Sequence, residues 1–198
     1  MEQNEFCKTC MGNGGESATK GLLLGKCEFG RVEMLIAIRI YLNGASPGAA
    51  VSAMTSAYFG IREGSGMPRM FMYEETQGRM GKMFWEDIEG YVKNSPIFYA
   101  DKIQTPLLIF HCDGDDAVPY SEGLNLFLAM RRLHKPAWLL NYKGERHFLY
   151  NDAARRDWTI RLKQFFDYYL RDSSLPRWMK EGILLDERGI DQKYDLIE

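Results

Sequence analysis

Two short segments carry the side chains best suited to moving a proton. "HCDGDDAVPY", residues 111–120, sets Asp113, Asp115 and Asp116 just after an apolar run, and "YKGERHFLY", residues 142–150, sets His147 just after another. A carboxylate and an imidazole brought together form an acid and base pair: the acid fixes the ring tautomer and stabilises the protonated ring, whose far nitrogen serves a nucleophile. Asp115 and His147 are the candidates for that pair. Simpler roles compete with it, since Asp and Gly build tight turns on their own and a histidine after a strand can be a surface or capping residue. His111 lies inside the apolar run and reads as a packed core histidine, whereas His134 ends a helical segment, where positive charge suits the dipole. The three carboxylates lack the alternating ligands and the closing Glu of a calcium loop, so no metal is expected on them.

A nucleophile is harder to find. "NGASPGAA", residues 43–50, satisfies G-x-S-x-G through Gly44, Ser46 and Gly48, the pattern of a sharp strand-to-helix turn that exposes a serine. In that turn the residue after the serine donates its backbone N–H to the oxyanion, and here that residue is Pro47, which has none. Loss of one such donor costs on the order of 2.7–4 kcal/mol of transition-state stabilisation. Ser46 is therefore read as a turn residue beside Asn43, Gly44 and Pro47.

Composition narrows the partners. The 198 residues are 45% hydrophobic, enough for a core, and 25 basic against 27 acidic residues give a net charge of -2. Those charges are mixed along the chain, so no field is built for nucleic acid or an anionic membrane. No window reaches the eighteen or so consecutive apolar residues of a membrane span, and "MEQNEFCKTC" lacks the regions of a signal peptide. A cytoplasmic location is expected for the chain as written. Cys7, Cys10, Cys27 and Cys112 are too few and uneven for a disulfide scaffold. "CKTCMGNGG" fits one zinc-binding repeat of J-domain chaperones, but a tetrahedral site needs four ligands and only Cys27 lies nearby, so zinc is not expected.

The elements that must position Asp115 and His147 follow from periodicity. "TPLLIFHC" reads as a strand covered on both faces, and "PAWLLNY" as a second short buried strand. Between them "PYSEGLNLFLAMRRLHK" gives a helix whose stripe runs through Leu124, Phe127, Leu128, Arg131 and Leu133, with Ser121 available as its cap. "NDAARRDWTIRLKQFFDYYLRD" closes the unit with Trp158, Leu162, Phe165, Phe166 and Tyr169 on one face. Strand, helix, strand, helix with short connections implies an α/β architecture with a parallel sheet. Chemistry in such a sheet gathers at the carboxyl ends of the strands, where Asp115 and His147 emerge together. Residues 55–100 read as a mostly helical excursion near the site's rim, its Met and aromatic residues used for packing. Residues 1–47 read as a poorly ordered lead, and 48–198 as the folded unit.

These segments together resemble the catalytic domain of the prolyl oligopeptidase family of serine peptidases. The likeness runs from "GAAVSAMTSAYFG" through "NSPIFYADKIQTPLLIFHCDGDDAVPY" and "LLNYKGERHFL" to "RRDWTIRLKQFFDYYLRD". It implies the C-terminal portion of an α/β-hydrolase fold, in which Asp115 matches the triad acid and His147 the triad base, in the chain order Ser, Asp, His. It further implies a peptide substrate and hydrolysis by a serine, without metal or organic cofactor.

The departure from the family lies on the N-terminal side. Family members carry a G-x-S-x-G-G elbow well before the segment that resembles "GAAVSAM", and this chain shows no such elbow there. A missing N-terminal portion of the parent domain is thereby implied, in a parent that could be exported. Residues 1–47 stand open between a shifted or mis-started reading frame in a longer peptidase gene and a natural remodelling into a binding module. Peptide hydrolysis by this chain alone is expected at or near background. A non-catalytic remnant and an esterase on the same fold are the alternatives.

Overall fold

Six short strands and six helices carry the chain through Gly44 and residues 46–198, the residues described by the computed structural model. The lead assigned to residues 1–47, and with it Cys7, Cys10 and Cys27, lies almost wholly outside them. Among the described residues the order is α1 (Met54–Ala57), β1 (Ile61–Arg62), β2 (Met67–Pro68), α2 (Met70–Glu74), α3 (Ile88–Lys93), β3 (Leu107–Phe110), α4 (Tyr120–Arg132), β4 (Ala137–Leu140), α5 (Asp152–Arg171), β5 (Leu175–Pro176), α6 (Arg177–Glu181) and β6 (Leu196–Ile197). Two 3-10 turns, Phe84–Glu86 and Pro96–Lys102, flank α3.

The sheet that matters is parallel, as the alternation of elements implies. Strand β3 pairs with β4 from Leu107 opposite Ala137 to Phe110 opposite Leu140. On the other side of β3, Gly48 forms a parallel bridge to Phe110: the Phe110 N–H donates to Pro47 O at 3.0 Å, and the Ala49 N–H donates to Phe110 O at 2.7 Å. Strand β3 is thus covered along both edges and both faces, which explains why Leu107, Leu108 and Ile109 form a continuous apolar run. Burying each such side chain contributes about 1.5–3 kcal/mol.

Two layers hold this sheet. Ile109 and Leu107 meet Leu126 and Met130 of α4, while Leu108 meets Phe165 and Phe166 of α5 together with Trp178 and Met179 of α6. The face expected for α5 is the one it uses, with Trp158, Leu162 and Tyr169 packed around the buried phenylalanines. The face expected for α4 is used only in part: Phe127 packs against the core beside Leu126 and Met130. Leu128 and Leu133 are exposed, and the helix buries Glu122, Gly123, Leu126 and Met130 instead. Its first turn follows Pro119, and Ser121 makes no cap.

The 55–100 excursion is a set of short helices plus a β1 and β2 hairpin that the periodicity did not reveal. Tyr58, Tyr73 and Tyr91 pack its centre with Met54 and Val51, although Phe59, Met83 and Trp85 stay exposed. Buried Glu122 ties the excursion to α4: its carboxylate accepts the backbone N–H groups of Ser52 and Ala53 at 3.0 and 2.8 Å and the Ser56 hydroxyl at 2.7 Å.

Candidate active site

Two loops leave the same edge of the sheet and meet. The ladder runs one step past β3, where the His111 N–H donates to Leu140 O at 3.1 Å, and the chain then turns through residues 112–119 into α4. Within that turn Asp115 Oδ1 accepts the N–H groups of Ala117 and Val118, each at 2.8 Å, so the carboxylate closes its own loop. The second loop leaves β4 through Tyr142, turns at Gly144 with φ of 77°, and brings His147 back over the first.

There the candidates touch. His147 Nδ1 lies 3.0 Å from Asp115 Oδ2 and 3.1 Å from Oδ1, with the Asp115 side chain 1% exposed and that of His147 12%. A carboxylate only accepts, so this contact puts the ring proton on Nδ1 and the lone pair on Nε2. Burial pushes the Asp115 carboxyl up, but donors from His111, His147, Val118 and Ala117 outweigh it and hold the group well below the usual carboxylate range. Asp115 is therefore a charged acceptor at any ordinary pH.

The other two carboxylates of the D-G-D-D stretch bind the loops to each other. Asp113 Oδ1 accepts the Gly144 N–H at 2.7 Å, Asp116 Oδ2 faces Arg146 Nη1 at 3.5 Å, and the Asp113 N–H donates to Asn141 Oδ1 at 3.0 Å. Gly114 passes so close to this partner loop that an added Cβ would stand 2.8 Å from Glu145 O. Glu145 in turn accepts the backbone N–H groups of Tyr150 and Asn151 at 2.5 and 3.2 Å, closing the histidine loop onto the start of α5. Behind it, Tyr142 donates its hydroxyl to Asp157 at 2.5 Å, and Arg161 donates to the same carboxylate at 2.8 and 3.0 Å. Only the types of these residues were legible beforehand; their pairings depend on two loops meeting.

Ser46 sits elsewhere. Its hydroxyl donates to Leu108 O at 2.8 Å, inside the sheet, and the next residue offers its carbonyl to Phe110. His134 follows α4 in the left-handed region with φ of 55°, the conformation of a residue just past a helix end. His111 is buried as expected, but it also faces Asp115, a contact that periodicity could not reveal. Cys112 is a buried thiol pushed up to about 12, chiefly by burial. No described helix is long and apolar enough to cross a membrane.

Known proteins share this arrangement of elements. The chain is 34% identical over 122 residues to dipeptidyl-peptidase 5 of Aspergillus oryzae, covering 61% of this chain and 16% of that protein. It is 31% identical over 101 residues to the uncharacterized peptidase YuxL of Bacillus subtilis, covering 50% and 15%. The chain thus spans about a sixth of the length of these curated relatives. Among solved structures it is similar to a puromycin-hydrolyzing peptidase of Mycobacterium tuberculosis, with a TM-score of 0.58 at 19% identity over 69% of this chain and 20% of that one. It is also similar to the acylaminoacyl peptidase of Pyrococcus horikoshii, with a TM-score of 0.55 at 20% identity over 70% and 22%. These structural likenesses identify the fold as part of an α/β-hydrolase. The model of the prolyl oligopeptidase family matches residues 35–173, and the chain belongs to that family.

Proposed function

We propose that this chain carries the acid and base half of a serine peptidase site, with His147 as general base and Asp115 holding its tautomer and stabilising its charged form. The observation that carries the reading is the buried Asp115 carboxylate 3.0 Å from His147 Nδ1. With the proton on Nδ1, Nε2 takes the proton of an attacking serine and returns it to the leaving amine. Peptide bonds are the substrate, on the strength of peptidase relatives.

The nucleophile is assigned to the N-terminal portion of the domain, which this chain does not carry in recognisable form. Ser46 is a poor substitute, because its hydroxyl is engaged by Leu108 O and Pro47 has no oxyanion donor. Hydrolysis by this chain alone is accordingly at or near background. The test compares a peptide amide with the matching ester, using the wild type and His147→Ala. Turnover of the ester alone, lost in His147→Ala, would replace the peptidase reading with an esterase; robust amide turnover would contradict the missing nucleophile.

A further inference from the structure

Asp115 faces two histidines. His147 takes one side of the carboxylate, while His111, fully buried at the end of β3, brings its Nε2 to 3.4 Å from Oδ2. The same Nε2 lies 3.1 Å from Val118 O, the carbonyl of a residue whose N–H already binds Oδ1. Carbonyl and carboxylate oxygens only accept, so Nε2 must carry the ring proton and share it between them. The nearer carbonyl takes the larger part, and Oδ2 receives a weaker, charge-assisted contact.

The surroundings hold the ring in this pose. Among the described residues Nδ1 is buried without a hydrogen-bond partner, as fits a lone pair turned toward α4 at Gly123. Tyr120 packs edge-on against the ring at 5.7 Å, and α4 crosses so close that a Cβ on Gly123 would stand 2.4 Å from Nδ1. A glycine here lets the helix press on the imidazole. A buried polar atom without a partner is costly, and the Nε2–H contacts offset that cost.

We propose that His111 is a positioning residue for Asp115, donating Nε2–H to Val118 O and Oδ2 so that the carboxylate keeps the orientation that receives His147. The proposal rests on the reading of Asp115 and His147 as the acid and base pair. Without His111, Val118 O and Oδ2 lose their shared donor; Oδ1 stays held by the Ala117 and Val118 N–H groups, while Oδ2, which receives His147, loses the contact that fixes its side of the carboxylate.

The experiment uses the whole chain, labelled with 15N at histidine. In the wild type, His111 is expected as the Nε2–H tautomer, and His147 Nδ1–H is expected as a strongly downfield resonance slow to exchange with water. His111→Phe should lose or broaden that resonance, and His111→Gln, which can return an N–H to nearly the same place, should restore it. Protonation of His111 at Nδ1 in the wild type would overturn the proposal, as would an unchanged His147 resonance in folded His111→Phe. If the Phe variant does not fold, His111→Gln decides: a folded Gln variant lacking the resonance overturns the proposal. The underlying pair is tested separately by Asp115→Asn. A downfield resonance that survives it, or is absent from the wild type, sinks the acid and base reading itself.

Discussion

At the scale of single residues, the pair depends on where one proton sits. Asp115 stays ionised inside the protein because four donors outweigh its burial, and that fixed charge is what His147 Nδ1–H meets. Replacing the carboxylate by an amide keeps the shape and removes the charge. Asp115→Asn should therefore lower the midpoint of the His147 titration, since an opposite charge at this distance favours the protonated ring. An NMR titration of the two proteins checks this, and equal midpoints would show that the contact carries no electrostatic weight. That Asp115 and His147 meet was legible in the sequence because each follows an apolar strand and the strands are parallel. The partners of Asp113, Asp116 and His111 were not, because turn formers, surface charges and core histidines have the same local sequence whether or not they meet a second loop.

At the scale of elements, two close approaches decide whether the site forms. Gly114 runs against Glu145 O, where a methyl group has no room, so Gly114→Ala must push the acid loop off the base loop. A loss of about 1–3 kcal/mol in chemical denaturation is expected, with weakening of the His147 resonance in the same variant. An unperturbed variant would show that the loops have slack. Glu122 is the second such point. It satisfies two backbone donors at the head of α1, and Glu122→Ala should cost at least about 2 kcal/mol because those donors stay buried and unpaired. This role explains why the buried face of α4 departs in part from its apolar spacing, with Phe127 packed on the core but Leu128 and Leu133 exposed. Apolar spacing favoured Leu128 and Leu133, whereas the helix turns a carboxylate and a glycine inward to hold the excursion and to press on His111. The β1 and β2 hairpin escaped for a different reason: strands of two residues are too short for alternation to register.

At the scale of the whole molecule, acid should unfold the chain through its buried carboxylates. Asp115 and Asp157 are both held below their ordinary values by donors that outweigh burial. A carboxyl depressed in the folded state contributes stability above its unfolded value of about 3.9, and that contribution is lost as pH falls from there toward the folded value. Stability should thus drop below about pH 4, and the double variant Asp115→Asn with Asp157→Asn should be weaker at neutral pH yet less sensitive to acid. Urea midpoints between pH 2 and pH 7, a range of roughly five units around those values, test this; parallel curves for both proteins would refute it.

Whether this fold can act alone is the most direct question about it. The measurement is labelling of residues 1–198 by a fluorophosphonate probe, comparing the wild type with Ser46→Ala and His147→Ala. The expected result is no stoichiometric labelling of any of the three, because Asp115 and His147 are in contact while the elbow-like serine is bonded into the sheet ahead of a proline. Stoichiometric labelling of the wild type that disappears in both variants would contradict it and make Ser46 the nucleophile.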